Sequence, residues 1–311
     1  MRKLLIGCTG SVLIFFILLG LLVGTMAIFV NPRVGVVDDF NASALRKLPP
    51  KPLAAPLTLK VATFNIQDMY LIGAQPRPER MRAIGAKLIG LDPDIVGFQE
   101  AFIEADRQTL IEQLKYSRLQ HFQYYSSGLV GSGLLIASAY PIREAYFHRY
   151  IASNPWYKLW EGDWWAGKGA GLARIELPGG SLLDFYNTHA QAGYGNPYYD
   201  IVREGQMSEF ADFIKSSYLT DTPVFAVGDL NCRVGDPEFE ALIYGADMIR
   251  LMSIDSRIDH VLGKKSPYYE FEVIETVAIA EHVRVGEHSF DLSDHNGFMS
   301  TIKLVPTSVI P

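Results

Sequence analysis

Five times along this chain a short apolar run ends in acid, amide or imidazole side chains. The places are Phe64-Asn65, Gln99-Glu100, Asn187-Thr188-His189, Gly228-Asp229-Leu230-Asn231 and Ser293-Asp294-His295, with Asp259-His260 between the last two. Short apolar runs bounded in this way read as buried strands. Polar groups gathered where strands end occupy the positions from which sheet-based enzymes present chemistry to a cleft. The pattern asks for a domain whose sheets deliver their strand ends to one place.

Helical spacings lie between the strands. Leu57–Ile66 reads as a strand, and Glu79–Ile89 repeats apolar residues as a helix does, through Met81, Ile84, Leu88 and Ile89. Asp94–Gln99 is a second buried strand and Asp106–Leu114 a second helix. Further strands are expected at Leu134–Ala137, Ala170–Leu177, Leu182–Asn187, Val224–Val227, Asp259–Leu262 and Phe298–Leu304, and Ile201–Ile214 is amphipathic. This mixture predicts a layered α+β or α/β domain over residues 57–305. Periodicity alone leaves the pairing of the strands open.

Two segments precede that domain. Arg2 and Lys3 lead into Leu4 to Val30, a stretch without charge. As a helix it would measure roughly 40 Å, more than a hydrocarbon core of about 30 Å. Residues 1–30 are therefore expected to be a transmembrane anchor or a signal sequence. The positive flank puts the N-terminus in the cytoplasm and the domain on the extracytoplasmic side, membrane-anchored by a single N-terminal helix. Cleavage near Thr25-Met26-Ala27 would instead give a secreted form. Residues 31–56 carry Pro32, Pro49, Pro50, Pro52 and Pro56 and read as a proline-rich, semi-extended linker. Cys8 and Cys232 lie too far apart in kind and place to make a disulfide framework. The net charge of -6 weighs against a nucleic-acid partner, because phosphate contacts usually draw a basic surplus.

Taken singly, each polar motif has an ordinary structural reading. Asp229 and Asn231 could form a turn before Gly235, Asp294 could cap a helix, and His189 could be a satisfied core histidine. Together they supply more. A hard divalent cation takes carboxylate and amide oxygens, and a phosphodiester needs a base for water and donors for developing charge. The set holds all of these.

The order FN, QE, NTH, GDLN, ID, SDH across Val61 to Phe298 resembles the endonuclease/exonuclease/phosphatase superfamily. The resemblance implies an α/β fold class, a four-layer α/β/β/α sandwich with its site at one end of the paired sheets; the uncharged stretch adds the expected N-terminal transmembrane helix. It implies a Mg²⁺ cofactor, with Mn²⁺ able to substitute. Glu100 is then similar to the principal metal ligand and Asn65 to its companion. Asp229 and Asn231 resemble the pair that orients the attacking water and contacts the phosphate, and His189 the phosphate-side imidazole. His295 resembles the general base, with Asp259 and Asp294 as orienting or metal-side carboxylates. An imidazole near its free pKa is poised for proton transfer at neutral pH.

A second resemblance narrows the substrate. Gly162 to Ala192 (GDWWAGKGAGLARIELPGGSLLDFYNTHAQA) is similar to the corresponding stretch of membrane-bound neutral sphingomyelinases. It implies that Asp163 and Lys168 form a switch controlling substrate access; a plain exposed ion pair there would contribute under about 1 kcal/mol. All four tryptophans, Trp156, Trp160, Trp164 and Trp165, fall within ten residues, and Tyr194, Tyr198 and Tyr199 follow close after His189. Such a cluster suits a membrane interface, a cage for a quaternary ammonium, or a packed lid. The expected activity is hydrolysis of sphingomyelin, or a related choline phospholipid, to ceramide and phosphocholine at a lipid bilayer. A nuclease or a phosphoinositide-type phosphatase on the same fold is the alternative, set back by the absence of a Lys/Arg run. Gln67-Asp68-Met69, where many relatives carry Trp or Tyr, and His260, where Tyr is common, leave the headgroup open.

Overall fold

The computed structural model describes residues 39–49, 51–69, 76–155 and 157–307, together with a helix over 2–30 whose side chains are described for residues 10–25. After that helix, α1 (Arg2–Val30), the chain runs β1 (Leu57–Asp68), α2 (Arg77–Leu91), β2 (Ile95–Ala101), α3 (Glu104–Leu114), β3 (His121–Tyr124) and β4 (Leu135–Ser138). It continues through β5 (Ile142–Arg149), α4 (Gly162–Trp165), β6 (Gly169–Glu176), β7 (Leu182–His189), α5 (Tyr198–Ser217), β8 (Val224–Asp229), α6 (Pro237–Gly245), β9 (Met248–Arg250) and β10 (Asp259–Lys264). Then come β11 (Tyr269–Ile279), the hairpin of β12 (His282–Val285) and β13 (His288–Asp291), and β14 (Gly297–Pro306).

The strands form two six-stranded sheets, ordered β11-β14-β1-β2-β4-β3 and β5-β6-β7-β8-β10-β9. Only β1 with β2 and β7 with β8 run parallel within them. Period-two alternation divides each strand's side chains between two cores. Leu59 and Val61 of β1, Ile95 of β2, Phe185 of β7, Phe225 and Val227 of β8 and Val261 of β10 meet between the sheets. Ala62, Phe64, Ile66, Val96 and Phe98 turn outward onto Met81, Ile84 and Leu88 of α2 and Leu110 of α3. On the other side Tyr186, Ala226 and Leu262 pack against Phe210 and Ile214 of α5 and Leu242 of α6. The result is helix on sheet on sheet on helix, and each fully buried Phe or Leu stabilises it by about 1.5–3 kcal/mol.

Two expectations for the N-terminal part change. No helix among the described residues is long and apolar enough to cross a membrane. The described residues 10–25 of α1 cover roughly 24 Å at 1.5 Å per residue, short of a core of about 30 Å. The transmembrane helix expected over residues 1–30 is thus unsupported by the described part of α1. The linker expected over 31–56 falls partly outside the described residues, at 31–38 and 50, but its described part is not a free spacer. Phe40 and Leu53 are buried, Phe40 edge-on to Phe213 of α5 and Tyr146 of β5. Ser43 Oγ donates to Glu144 (2.7 Å) and accepts from the buried Arg174 (3.0 Å). Two short 3-10 helices, Phe40–Ala42 and Leu45–Lys47, shape its first part, and its few apolar and hydroxyl side chains dock it.

Candidate active site

The inward face of the sheets turns polar at one end because strand parity continues past the last apolar residue. Val61 on β1 leads to Asn65, Phe185 on β7 to Asn187 and His189, and Val227 on β8 to Asp229. Val261 on β10 leads back to Asp259. Register then sets His189, Asp229 and Asp259 side by side on three neighbouring strands. Beneath them the two sheets are joined by amides. Gln99 Nε2 donates to Asn187 Oδ1 (2.7 Å), and Asn187 Nδ2 donates to the carbonyls of Phe98 (2.9 Å) and Leu135 (3.2 Å). Gly97 permits this approach: a Cβ there would stand 2.4 Å from Val227 Cγ2 and 3.0 Å from Asn187 Oδ1. Gln99 and Asn187 stood inside the motifs, yet the sequence reading assigned neither a role.

Above that floor Asn65 Nδ2 donates to Glu100 Oε1 (2.9 Å) and Asp229 Oδ2 (3.0 Å), while Asn65 Oδ1 accepts from the Gln67 backbone N–H (3.0 Å). Asn65 was expected beside the metal as a ligand. Here its nitrogen holds two carboxylates together, and its oxygen accepts one backbone N–H and keeps a second lone pair. His295 Nδ1 lies 3.1 Å from Asp259 Oδ2, and its Nε2 3.7 Å from Asp229 Oδ2. His189 Nε2 lies 3.5 Å from the same Asp229 oxygen and 3.9 Å from Glu100 Oε1. Asn231 donates from its backbone to Asp229 Oδ1 (3.0 Å) and from Nδ2 to the Ala190 carbonyl (3.1 Å). Asp294 is exposed and accepts from Gln67 Nε2 (2.6 Å), on the rim rather than among the buried carboxylates. Gln67, Glu100 and Asn231 all have positive φ, 48°, 57° and 51°. Non-glycine residues in that region carry strain of about 1–3 kcal/mol each and gather at functional sites.

Burial sets the electrostatics. It raises Glu100 to about 7, against the Asn65 hydrogen bond and the Lys168 charge, and raises Asp229 as well. Asp259 is likewise raised to about 7 by burial, against its bond to His295. Burial holds His189 well below the usual histidine range, helped by the charges of Lys168 and His295. For His295 burial pulls downward, but the Asp259 hydrogen bond and the charges of Asp229, Asp259 and Asp294 lift the ring to about 9. Glu100 Oε2 and Asp259 Oδ1 are buried without a hydrogen-bond partner. Asp229, Asp259 and His295 offer atoms within 4.8 Å of one another. Buried carboxylate oxygens without donors fit a hard divalent cation. Glu100, through its open oxygen and beside Asp229, is placed to hold one.

The pair Asp163 and Lys168 is formed and nearly buried, at 2.9 Å, so it is no ordinary surface ion pair. Lys168 Nζ also donates to the Ala190 carbonyl (2.6 Å). Asp163 Oδ2 accepts from the Ala192 backbone (2.7 Å) and from Gln191 Nε2 (2.8 Å). Both charges thus grip the segment that follows His189. The tryptophans divide. Trp164 is 2% exposed and packs edge-on to Trp165 at 4.8 Å, so it serves local packing and is not open to a membrane surface. Trp165 donates from Nε1 to the Leu159 carbonyl (2.7 Å). Trp160 is 73% exposed, with Tyr157, Tyr194 and Tyr198 also exposed. Trp156 lies outside the described residues.

Residues 62–295 match the model of the Endonuclease/Exonuclease/phosphatase family. A candidate neutral sphingomyelinase of Drosophila melanogaster is 30% identical over 274 residues, which cover 80% of this chain and 61% of that protein. Human sphingomyelin phosphodiesterase 2 is 36% identical over 187 residues, 58% of this chain and 43% of the human one. This chain therefore spans about half the length of the curated relatives it matches. Among solved structures, a beta toxin variant from Staphylococcus aureus with bound magnesium ions superposes with a TM-score of 0.63 at 20% identity, covering 79% of this chain and 99% of that one.

Proposed function

The chain belongs to the endonuclease/exonuclease/phosphatase family, and on that footing we propose that it is a metal-dependent phosphodiesterase that hydrolyses sphingomyelin, or a related choline phospholipid, to ceramide and phosphocholine. The observation that carries this is the His295–Asp259 pair set against Asp229, in one buried cluster with the open oxygen of Glu100. The lipid substrate rests on the neutral sphingomyelinase relatives and on the Asp163–Lys168 lid.

In this reading water attacks phosphorus, the bond to the ceramide oxygen breaks, and phosphocholine leaves with the water's oxygen. His295 takes the water's proton at Nε2 while Asp259 fixes the ring through Nδ1. Two carboxylates facing the ring favour its charged form, and positive charge held at Glu100 and Asp229 would oppose them and return the ring to service as a base. His189, kept neutral by burial, donates toward the phosphoryl or leaving oxygen. Magnesium, bound at Glu100, would supply charge neutralisation on the phosphate oxygens. Residues 1–30 are read as holding the domain at a bilayer, outside the cytoplasm, and Trp160 with Tyr157, Tyr194 and Tyr198 as its lipid-facing rim. The exposed apolar side chains of α1 support that placement.

The test is a substrate panel of sphingomyelin, phosphatidylcholine, a phosphoinositide and plasmid DNA, each with and without Mg²⁺. Phosphocholine should be released from sphingomyelin only with metal, and Glu100→Gln should lose that turnover at limiting Mg²⁺ by weakening metal binding. Cleavage of DNA in place of lipid, or full turnover by Glu100→Gln, would overturn the reading.

A further inference from the structure

Arg80 sits in the first turn of α2 and is 1% exposed. A buried guanidinium is expensive unless its donors are met. Its two Nη groups donate to main-chain carbonyls of two separate segments, while Nε is buried without a hydrogen-bond partner. Nη1 donates to Ile66 O and to Leu292 O (3.0 Å), and Nη2 donates to Gln67 O (2.9 Å). Ile66 and Gln67 directly follow Asn65, and Leu292 directly precedes Ser293-Asp294-His295. One planar group therefore ties the end of β1 to the loop that delivers His295. Two lighter ties run parallel to it: Ser293 Oγ donates to Asn65 O (2.7 Å), and Gln67 Nε2 to Asp294 Oδ2 (2.6 Å). Asp68, Asp106 and Asp294 supply the surrounding negative charge. A lysine ammonium would offer compact donors without the fork that reaches both segments at once.

We propose that Arg80 is a positioning residue for His295: by clamping the 292–295 loop to the end of β1 it keeps the imidazole seated between Asp259 and Asp229. Nothing about α2 announces this, because a helix on the outer face of a sheet is expected to contribute packing alone. The proposal rests on reading His295 as the group that handles the water's proton. Misplacement of such a group by about 1 Å costs on the order of a hundredfold in rate.

The experiment compares Arg80→Lys with wild type on sphingomyelin at saturating Mg²⁺, alone and in a His295→Ala background. If Arg80 acts through His295, kcat should fall about tenfold or more while KM stays within about twofold. On the residual turnover of His295→Ala the same change should then cost less than about twofold. An equal loss in both backgrounds, or no loss in either, overturns the proposal. A second readout does not depend on turnover: the ring ¹⁵N signals of His295 should move in Arg80→Lys while those of His148 stay in place. Unmoved His295 signals overturn it even if sphingomyelin is not the substrate, so the two failures are distinguishable. Should Arg80→Lys not fold, Ser293→Ala removes the parallel tie and should give the same pattern in smaller measure; a His295 ring unmoved by that change counts equally against the clamp.

Discussion

His260 follows Asp259 on β10, and the half-turn between them separates two kinds of work. Asp259 faces the site; the His260 ring faces the outer core, 4.8 Å from Phe239, with Nε2 donating to the Cys232 carbonyl at 3.0 Å. Burial lowers His260 from 6.5 to about 4, so the folded chain holds it neutral. Below pH 6.5 the unfolded chain binds a proton that the folded chain refuses. The contribution is whole above 6.5 and drains away as pH falls to about 4, a loss of up to about 3 kcal/mol. Urea unfolding at steps from pH 7.5 to 4.5 should show this decline, and His260→Gln, which keeps a donor but cannot titrate, should flatten it. Parallel pH curves for the two proteins would remove His260 as the cause. At this scale the sequence shows which residues gather but not which atoms turn inward. Asn65 stood in the right motif, but that its nitrogen faces Glu100 and Asp229 and its oxygen the Gln67 N–H follows only from the packed structure.

The segment that carries Asp163 and Lys168 is held from two sides. Residues 162–168 are stitched on one side to the 128–131 loop, through the Gly128–Ala166 bridge and the Gly167 N–H to the Gly131 carbonyl (3.1 Å). On the other side Asp163 and Lys168 hold Ala192 and Ala190. Such an element can gate a site if its charges meet in one state and part in another. Asp163→Ala or Lys168→Ala should cut hydrolysis of sphingomyelin in vesicles at least about tenfold, and a small soluble phosphodiester much less, since uniform loss of catalysis and selective loss of access separate in the two substrates. Equal losses on both would mean that the pair supports the catalytic strand directly. The strands legible in the sequence were β1, β2, β4, β6, β7, β8, β10 and β14, the eight that lie inside the two sheets. The four edge strands, β3, β5, β9 and β11, were not. An interior strand is buried on both faces and reads as an unbroken apolar run. An edge strand such as β11 alternates Glu270 and Glu272 with Phe271 and Val273, a pattern that charge disguises. The order of strands was illegible for a different reason, being set by contacts distant in sequence.

For the whole molecule, the docked 39–53 segment changes what a truncation should do. A chain beginning at Asp39 should keep the unfolding midpoint of the domain, whereas one beginning at Leu57 loses Phe40, Leu53 and the Ser43–Arg174 contact. Two such apolar side chains put the expected cost at about 3–6 kcal/mol, read as a lower urea midpoint. Equal midpoints would return the segment to a free spacer.

The amide bridge between Gln99 and Asn187 bears on how far the rest of the core can change. Apolar burial is non-directional, so packing fixes the spacing of the two sheets without naming which atoms must face each other. A pair of carboxamides does name them, since a small slip parts donor from acceptor in a place water does not reach. Repacking of the inter-sheet core can therefore accumulate without tilting the cluster above, because alignment is kept by a latch and volume by everything else.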